Sequence, residues 1–201
     1  MPALLLISFV FIVVWTNSFI GTTDINNWLI ENTLTVISLL FLTLSYRIYR
    51  FSNTSYLFIC IFLCLHVYGS KYTYADNTFG FWLQDIFESS RNQYDRIVHF
   101  SFGLLLFYPL QECFSKWLKF DKRETYALPI LIVLGTSAIY EIIEWLVADV
   151  FFEEQGMAYL GTQGDIWDSQ KDTAVAFLGV LLAAICFYVI KKIRQPQYSG
   201  D

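Results

Sequence analysis

Three aspartates follow one another at helical spacing near the start of the last apolar stretch of this chain. Asp165, Asp168 and Asp172 occupy positions i, i+3 and i+7 in the segment GTQGDIWDSQKDTAVAFLGVLLAA, residues 161–184. On a helix these three side chains share one face. Carboxylates that lie close together cannot all stay ionised without a compensating cation. The options for these acids are therefore protonation, pairing with Arg96 or Lys171, or a bound metal ion.

Other ionisable residues stand near the ends of three more apolar stretches. Glu141 and Glu144 are at i and i+3 in YEIIEW, Asp95 and His99 are at i and i+4 in YDRIVHF, and His66 lies in LHVYGS. Histidine with carboxylates suits Zn²⁺, Mn²⁺ or iron, whereas carboxylates alone suit Mg²⁺ or Ca²⁺. A bound metal would polarise a substrate oxygen or supply hydroxide, with a remaining carboxylate or histidine as general base.

The elements that must position these residues are apolar helices. The 201 residues are 56% hydrophobic and 15% charged, with a mean hydropathy of +0.47. A soluble domain carries about 25% charged residues, so this composition is typical of an all-α polytopic membrane protein. A net charge of −5 gives no support for nucleic-acid binding.

About six apolar runs are long enough to cross a bilayer as helices. They lie near residues 2–20, 29–46, 55–70, 95–114, 125–148 and 168–190. The first run lacks a basic amino-terminal region and a small-residue cleavage site, which predicts a retained span rather than a signal peptide. No internal repeat or linker is visible, so residues 1–201 are predicted to form a single transmembrane domain.

Charge is distributed unequally between the predicted loops. Nine of the thirteen basic residues fall on one side: Arg47, Arg50, Lys116, Lys119, Lys122, Arg123, Lys191, Lys192 and Arg194. The positive-inside rule then predicts that both termini are cytoplasmic. Fourteen of the eighteen acidic residues fall in or near the outer half. They predict an acidic outer mouth that attracts cations.

This topology brings the ionisable residues of the spans to one depth. Spans three and five run outward and spans four and six run inward, so two ends and two starts meet at the outer surface. Ionisable residues inside a membrane are costly and usually functional. The candidate catalytic residues are Glu141, Glu144 and Asp168; the candidate metal ligands are His66, His99, Glu144, Asp168 and Asp172; the candidate binding residues are Tyr94, Asp95, Arg96, Tyr140, Gln163 and Asp165.

The long loop between spans three and four contains an amphipathic pattern. Apolar residues recur at i, i+3, i+4, i+7 and i+8, at Phe79, Trp82, Leu83, Ile86 and Phe87. The pattern predicts a short helix that lies in the outer interface or caps the bundle.

Three segments resemble a known family. YDRIVHFSFGLLLFYPLQE, YEIIEW and GTQGDIWDSQKD together resemble the YjdF-type family of uncharacterised bacterial inner-membrane proteins. The resemblance covers most of the chain from His66 onward. It implies a multi-pass protein of the bacterial cytoplasmic membrane with no assigned activity.

A weaker similarity is to VanZ-like membrane proteins, which are linked to glycopeptide resistance and the cell envelope. The segment 95–100, DRIVHF, is similar to their Asp-Lys-x-x-His-Phe helix start, with Arg96 in place of lysine. Asp168 and Asp172 match a later Asp-x-x-x-Asn-x-x-Gly start loosely, because aspartate replaces asparagine and Gly179 is displaced.

Three functions are compatible with these features, and the sequence leaves open whether the protein is an enzyme. The first is a metal-dependent enzyme that acts on a lipid or lipid-linked envelope substrate, with Asp95 orienting His99. The second is a non-enzymatic membrane protein that binds lipid or a partner. The third is a proton-coupled transporter, which is disfavoured because the acids cluster at one mouth and no inverted repeat is visible. The cofactor is unidentified, with a divalent metal as the candidate, and the oligomeric state stays open.

Overall fold

The computed structural model describes residues 2–151 and 162–194, and these ranges contain seven α-helices and no strand. The helices are α1 (Pro2–Ile20), α2 (Ile25–Ser45), α3 (Asn53–Ser70), α4 (Thr78–Ile86), α5 (Tyr94–Glu112), α6 (Glu124–Leu146) and α7 (Asp168–Arg194). Two of them continue into a π-helical turn, α5 through Cys113–Trp117 and α6 through Val147–Phe151.

The predicted all-α bundle with about six spans is confirmed. Among the described residues, six helices are long and apolar enough to cross a membrane, namely all except α4. The second span begins at Ile25 rather than near residue 29. It starts earlier because the side chain of Asp24 caps the helix, accepting hydrogen bonds from the backbone N–H groups of Asn26 and Asn27 at 2.9 and 3.1 Å. The cytoplasmic placement of both termini stays a prediction.

Helix α5 lies at the centre of the bundle and packs against α3, α6 and α7. Two glycines bring α5 and α7 into backbone contact. A Cβ atom at Gly103 would lie 1.9 Å from the carbonyl oxygen of Ala176, and one at Gly179 would lie 2.2 Å from that of Phe100. Because no larger residue fits at either position, these glycines allow the close pairing on which the site depends.

The predicted amphipathic segment forms helix α4, whose first turn is capped by the side chain of Asn77. Most of its large apolar residues are exposed, including Phe79, Trp82 and Ile86. Only Gly80 is buried, where it packs against Asn92. An apolar exposed face suits the interfacial position predicted for this segment.

Candidate functional site

Carboxyl groups from α5 and α7 meet where both helices begin. Asp95 lies in the first turn of α5, and Asp168 and Asp172 lie in the first two turns of α7. One carboxyl oxygen from each of the three lies within 4.8 Å of the others. These three residues are referred to below as the carboxylate centre.

Two arginines hold the edge of this centre. Arg91, just before α5, donates through Nη1 and Nη2 to the two oxygens of Asp168. Arg96 donates through Nη2 to Asp165 at 2.6 Å and to Asp168 at 3.1 Å. Arg96 was predicted as a binding residue, but the role of Arg91 was missed because it lies outside the spans. The available signal was its position, since Arg91 is a basic residue close to the predicted start of span four.

Asp165 belongs to the exposed edge of the same network. Lys171 donates to both of its oxygens, at 2.9 and 2.7 Å. Lys171 and Arg96 therefore hold the pKa of the Asp165 carboxyl well below its usual range. Asp165 is thus an ion-pair partner that links α7 to α5, and its predicted binding role stays a prediction.

Asp172 is a buried carboxylate whose Oδ1 is not hydrogen-bonded to either arginine. It is 1% exposed, and its Oδ1 has no hydrogen-bond partner among the described residues. The nearest cationic atom is Nε of Arg96 at 3.7 Å, which also lacks a hydrogen-bond partner there. A buried carboxylate oxygen without a partner is costly, so this position favours a bound cation or a proton.

His99 lies between acids on two helices. Its Nε2 is 3.6 Å from Oδ1 of Asp95 and 3.4 Å from Oε1 of Glu141 on α6. That oxygen of Glu141 also has no hydrogen-bond partner among the described residues. His99 and Glu141 are both buried, with 7% and 8% of their surface exposed. Both distances are longer than an ordinary hydrogen bond, so the orienting role of Asp95 toward His99 stays a prediction.

The balance of charge in this region is unequal. Among the described residues, five carboxyl groups converge here, on Asp95, Glu141, Asp165, Asp168 and Asp172. Within the same described ranges, three cationic side chains face them, on Arg91, Arg96 and Lys171. The cations contact mainly Asp165 and Asp168, which leaves the side of the site around His99 short of positive charge.

His66 is held by protein groups and is separate from the centre. Its Nε2 lies 3.1 Å from the backbone carbonyl oxygen of Glu31, and its Nδ1 lies 2.5 Å from the hydroxyl of Tyr74. Burial raises the pKa of Tyr74 well above its usual range, so the hydroxyl keeps its proton and donates to Nδ1. Both ring nitrogens of His66 therefore have partners within the protein, and its role as a metal ligand stays a prediction.

Glu31 is a second residue that sequence reasoning missed. It is 4% exposed inside α2, and its carboxylate accepts a hydrogen bond from the hydroxyl of Tyr140 at 3.0 Å. Tyr140, predicted as a binding residue, also packs edge-on against His99, with ring centroids 6.0 Å apart. An acid within a span was the available signal, since Glu31 lies in the predicted range 29–46.

Two predicted binding residues have structural partners. The hydroxyl of Tyr94 donates to the carbonyl of Leu65 at 2.9 Å, in a fully buried position. The side chain of Gln163 accepts from the N–H of Asn92 at 2.9 Å and donates to its carbonyl at 3.1 Å. Tyr94 thus fixes α5 against α3, and Gln163 joins the loops that precede α5 and α7.

Glu144 is half-buried on α6, one turn beyond Glu141. Within residues 2–151 and 162–194 it makes no hydrogen bond or ion pair. Its predicted catalytic and ligand roles therefore stay predictions.

Comparison with known proteins gave two matches. The model of a family described as "Predicted membrane protein (DUF2238)" matches residues 3–193. The "Inner membrane protein YjdF" of Escherichia coli (strain K12) is 34% identical over 167 residues, covering 83% of this chain and 79% of the relative. No solved structure matches. Together with the six apolar helices, these matches confirm the predicted multi-pass location in the inner membrane.

Proposed function

Since the chain belongs to the DUF2238 family of predicted membrane proteins, we propose that its carboxylate centre binds a divalent cation. We further propose that the cation serves a metal-dependent reaction on a lipid or a lipid-linked envelope substrate. The single observation that carries the proposal is the environment of the Oδ1 atom of Asp172. This atom is buried without a hydrogen-bond partner among the described residues, and a carboxyl oxygen of Asp172 lies within 4.8 Å of oxygens of Asp95 and Asp168.

The donor set fits a divalent cation. Oxygen ligands that bind one Ca²⁺ ion at about 2.3–2.6 Å lie at most about 5 Å from each other. The three carboxyl oxygens of the centre meet that limit, being within 4.8 Å of one another. Asp168 already accepts hydrogen bonds from two arginines, but a carboxylate offers about four lone-pair positions. A bound cation would also offset the excess of carboxylates around His99.

Glu141 and His99 supply the acid–base groups of the proposed reaction. Both are buried and lie next to Asp95 of the centre, while Oε1 of Glu141 has no hydrogen-bond partner within the described residues. A bound metal would supply Lewis-acid activation of a substrate oxygen or of water. We assign Glu141 as the general base and His99, which lies next to it, as a second acid–base group. The predicted orientation puts these groups at the outer leaflet, where envelope lipids are available.

Metal analysis of the purified protein tests the cation site. We expect one divalent ion per chain, bound in titrations with Mn²⁺, Zn²⁺ or Ca²⁺, and a lower melting temperature after chelation. Asp172→Asn should abolish binding, whereas Asp85→Asn, at an exposed acid on α4, should not. No stoichiometric ion, together with a melting temperature that chelation leaves unchanged, would overturn the proposal. Asp95→Asn serves as a second variant if Asp172→Asn does not fold.

Catalysis is tested separately from binding. The protein is reconstituted in vesicles of bacterial envelope lipids, and product formation is followed by mass spectrometry. We expect Glu141→Gln to retain the metal and the fold but to lose turnover. Metal binding without any lipid conversion would leave a cation-binding protein and refute the enzymatic part.

A second candidate function, assembly of the bundle, is supported by the ion pairs of Arg91 and Arg96 with Asp165 and Asp168. These pairs join the starts of α5 and α7 without any ligand. Under that alternative, Asp172→Asn and Glu141→Gln would change only stability. A folded Glu141→Gln protein that has lost turnover would exclude it.

A further inference from the structure

A cavity of about 60 Å³ lies beside the carboxylate centre, between α2, α3, α5 and α6. Asp95 and His99 form part of its wall and belong to the site as well. Phe102, on the same helix, lines it about two turns below Asp95, where Phe62 and Leu34 contribute further apolar wall. The wall of the cavity is mostly apolar, although Asp95, His99, His66 and Tyr74 also line it.

Ser137 on α6 places a hydroxyl group in this wall. The residue is 2% exposed, and its Oγ has no hydrogen-bond partner among the described residues. A helical serine in apolar surroundings commonly donates to the carbonyl four residues earlier, and this one does not. Leaving a buried hydroxyl without a partner is unfavourable, so the position favours a ligand that brings a hydrogen-bond acceptor.

The cavity reaches the side of the bundle at Thr136, which is exposed although it lines the cavity. Next to it, Gly135 faces open space, since a Cβ there would meet no atom within 4 Å. Both residues lie midway along a membrane span that covers Glu124–Val150. Thr136 lies five residues before Glu141, so at a rise of about 1.5 Å per residue it is about 8 Å further into the bundle than the acid next to His99, toward the lipid tails.

We propose that this cavity binds the ester end of one acyl chain of a membrane glycerolipid. The ester carbonyl accepts the hydrogen bond of Ser137, the first methylene groups lie against Leu34 and Phe102, and the rest of the chain leaves past Thr136 into the bilayer. The polar part of the lipid then lies next to His99 and Asp95. The inference rests on the proposed function, because it names the substrate that the centre would act on.

The cavity has the right size and polarity for this occupant. A volume of about 60 Å³ holds a carbonyl group and a few methylenes rather than a whole chain. An opening at the depth of lipid tails admits an acyl chain from the side and excludes water-soluble substrates. The mostly apolar wall suits the methylene groups of an acyl chain, and the hydroxyl of Ser137 suits its ester carbonyl.

Photochemical labelling tests the proposal. The full-length protein is reconstituted in vesicles of phosphatidylethanolamine and phosphatidylglycerol that contain a phosphatidylethanolamine with a diazirine near its acyl ester. We expect labelling to concentrate on the peptides that contain Leu34 and Thr136. Ser137→Leu, which fills the cavity, should remove that labelling, whereas the matched variant Gly135→Leu, whose side chain points into open space, should retain it.

The hydrogen bond to the ester is tested with a smaller change. An ether analogue of the lipid, which lacks the carbonyl, should compete for the wild-type site about tenfold more weakly than the ester, the effect of one lost hydrogen bond. Ser137→Ala should abolish that difference, and this variant decides the matter if Ser137→Leu does not fold. Labelling spread evenly over the lipid-facing surface, or labelling that neither Ser137 variant changes, would overturn the proposal.

Metal content is measured on the same samples. Specific labelling in a protein without metal would refute the proposed function and leave the lipid site standing. Bound metal without specific labelling would refute the lipid site alone.

Discussion

Arg91 and Asp168 are 77 positions apart in the sequence and form a two-pronged ion pair inside the bundle. Each side chain is only 6% exposed. The pair joins the loop before α5 to the first residue of α7. It therefore fixes the axial alignment of the two helices, so that their first turns lie side by side. Asp95 and Asp172 meet at the carboxylate centre because of that alignment.

Removal of one partner from this pair should destabilise the protein strongly. We expect Arg91→Gln to lower the free energy of unfolding by about 3–5 kcal/mol, because Asp168 keeps a buried charge with less compensation. Chemical unfolding in detergent micelles measures the change. Lys171→Gln, at a cation that is 48% exposed, should cost less than about 1 kcal/mol. Equal costs for the two variants would contradict the structural role given to Arg91.

The close packing of α5 on α7 should not accommodate a methyl group at Gly179. We expect Gly179→Ala to lower the free energy of unfolding by about 1–3 kcal/mol, because its Cβ would lie 2.2 Å from the carbonyl oxygen of Phe100. The variant should also weaken metal binding, since it moves Asp172 away from Asp95. Gly135→Ala, which meets open space, should be neutral or slightly stabilising. A neutral Gly179→Ala would refute backbone contact between the two helices.

The ion pairs of Asp165 predict loss of stability in acid. Lys171 and Arg96 depress the pKa of this carboxyl in the folded protein, whereas the unfolded value is about 3.9. Its contribution is therefore complete above about pH 4 and is lost as the pH falls from there through the folded pKa. Carboxyl-carbon NMR titration should show the depressed value in the wild type and a higher value in Lys171→Gln. An unchanged titration would show that Lys171 does not act on Asp165.

The orientation predicted from basic residues can be read by cysteine labelling. In a background with the four native cysteines replaced by alanine, Ser90→Cys should react with an impermeant maleimide in intact cells. Lys122→Cys should react only after permeabilisation, because it lies in the basic loop predicted to be cytoplasmic. The opposite pattern would place the carboxylate centre on the cytoplasmic side and remove outer-leaflet lipids as its substrate.

Much of the fold follows from local features of the chain. The apolar runs mark the spans because only a helix satisfies its own backbone hydrogen bonds in a bilayer. The amphipathic spacing from Phe79 to Phe87 anticipated α4, which ends at Ile86. The early start of α2, at Ile25, came from the cap formed by Asp24, a signal that hydropathy does not contain.

The candidate site was foreseen only in part. The level at which Asp95, Asp168 and Glu141 meet follows from the alternating direction of the spans. The sequence could not show that His66 turns toward Glu31 and Tyr74 rather than toward the centre. Histidines on neighbouring spans look alike in sequence, although their hydrogen-bond partners differ.

The sequence by itself determined the membrane location, the number of spans and the end of the bundle at which the acids gather, because each depends on residue type and spacing along one helix. The tertiary structure decided how charges are shared. In the folded chain Arg91 pairs with Asp168 and Lys171 pairs with Asp165. The hydroxyl of Tyr140 donates a hydrogen bond to Glu31. Asp172 has no hydrogen-bonded cation among the described residues. The physical reason is that ion pairing depends on distances of a few ångströms between helices, which are set by close packing at Gly103 and Gly179.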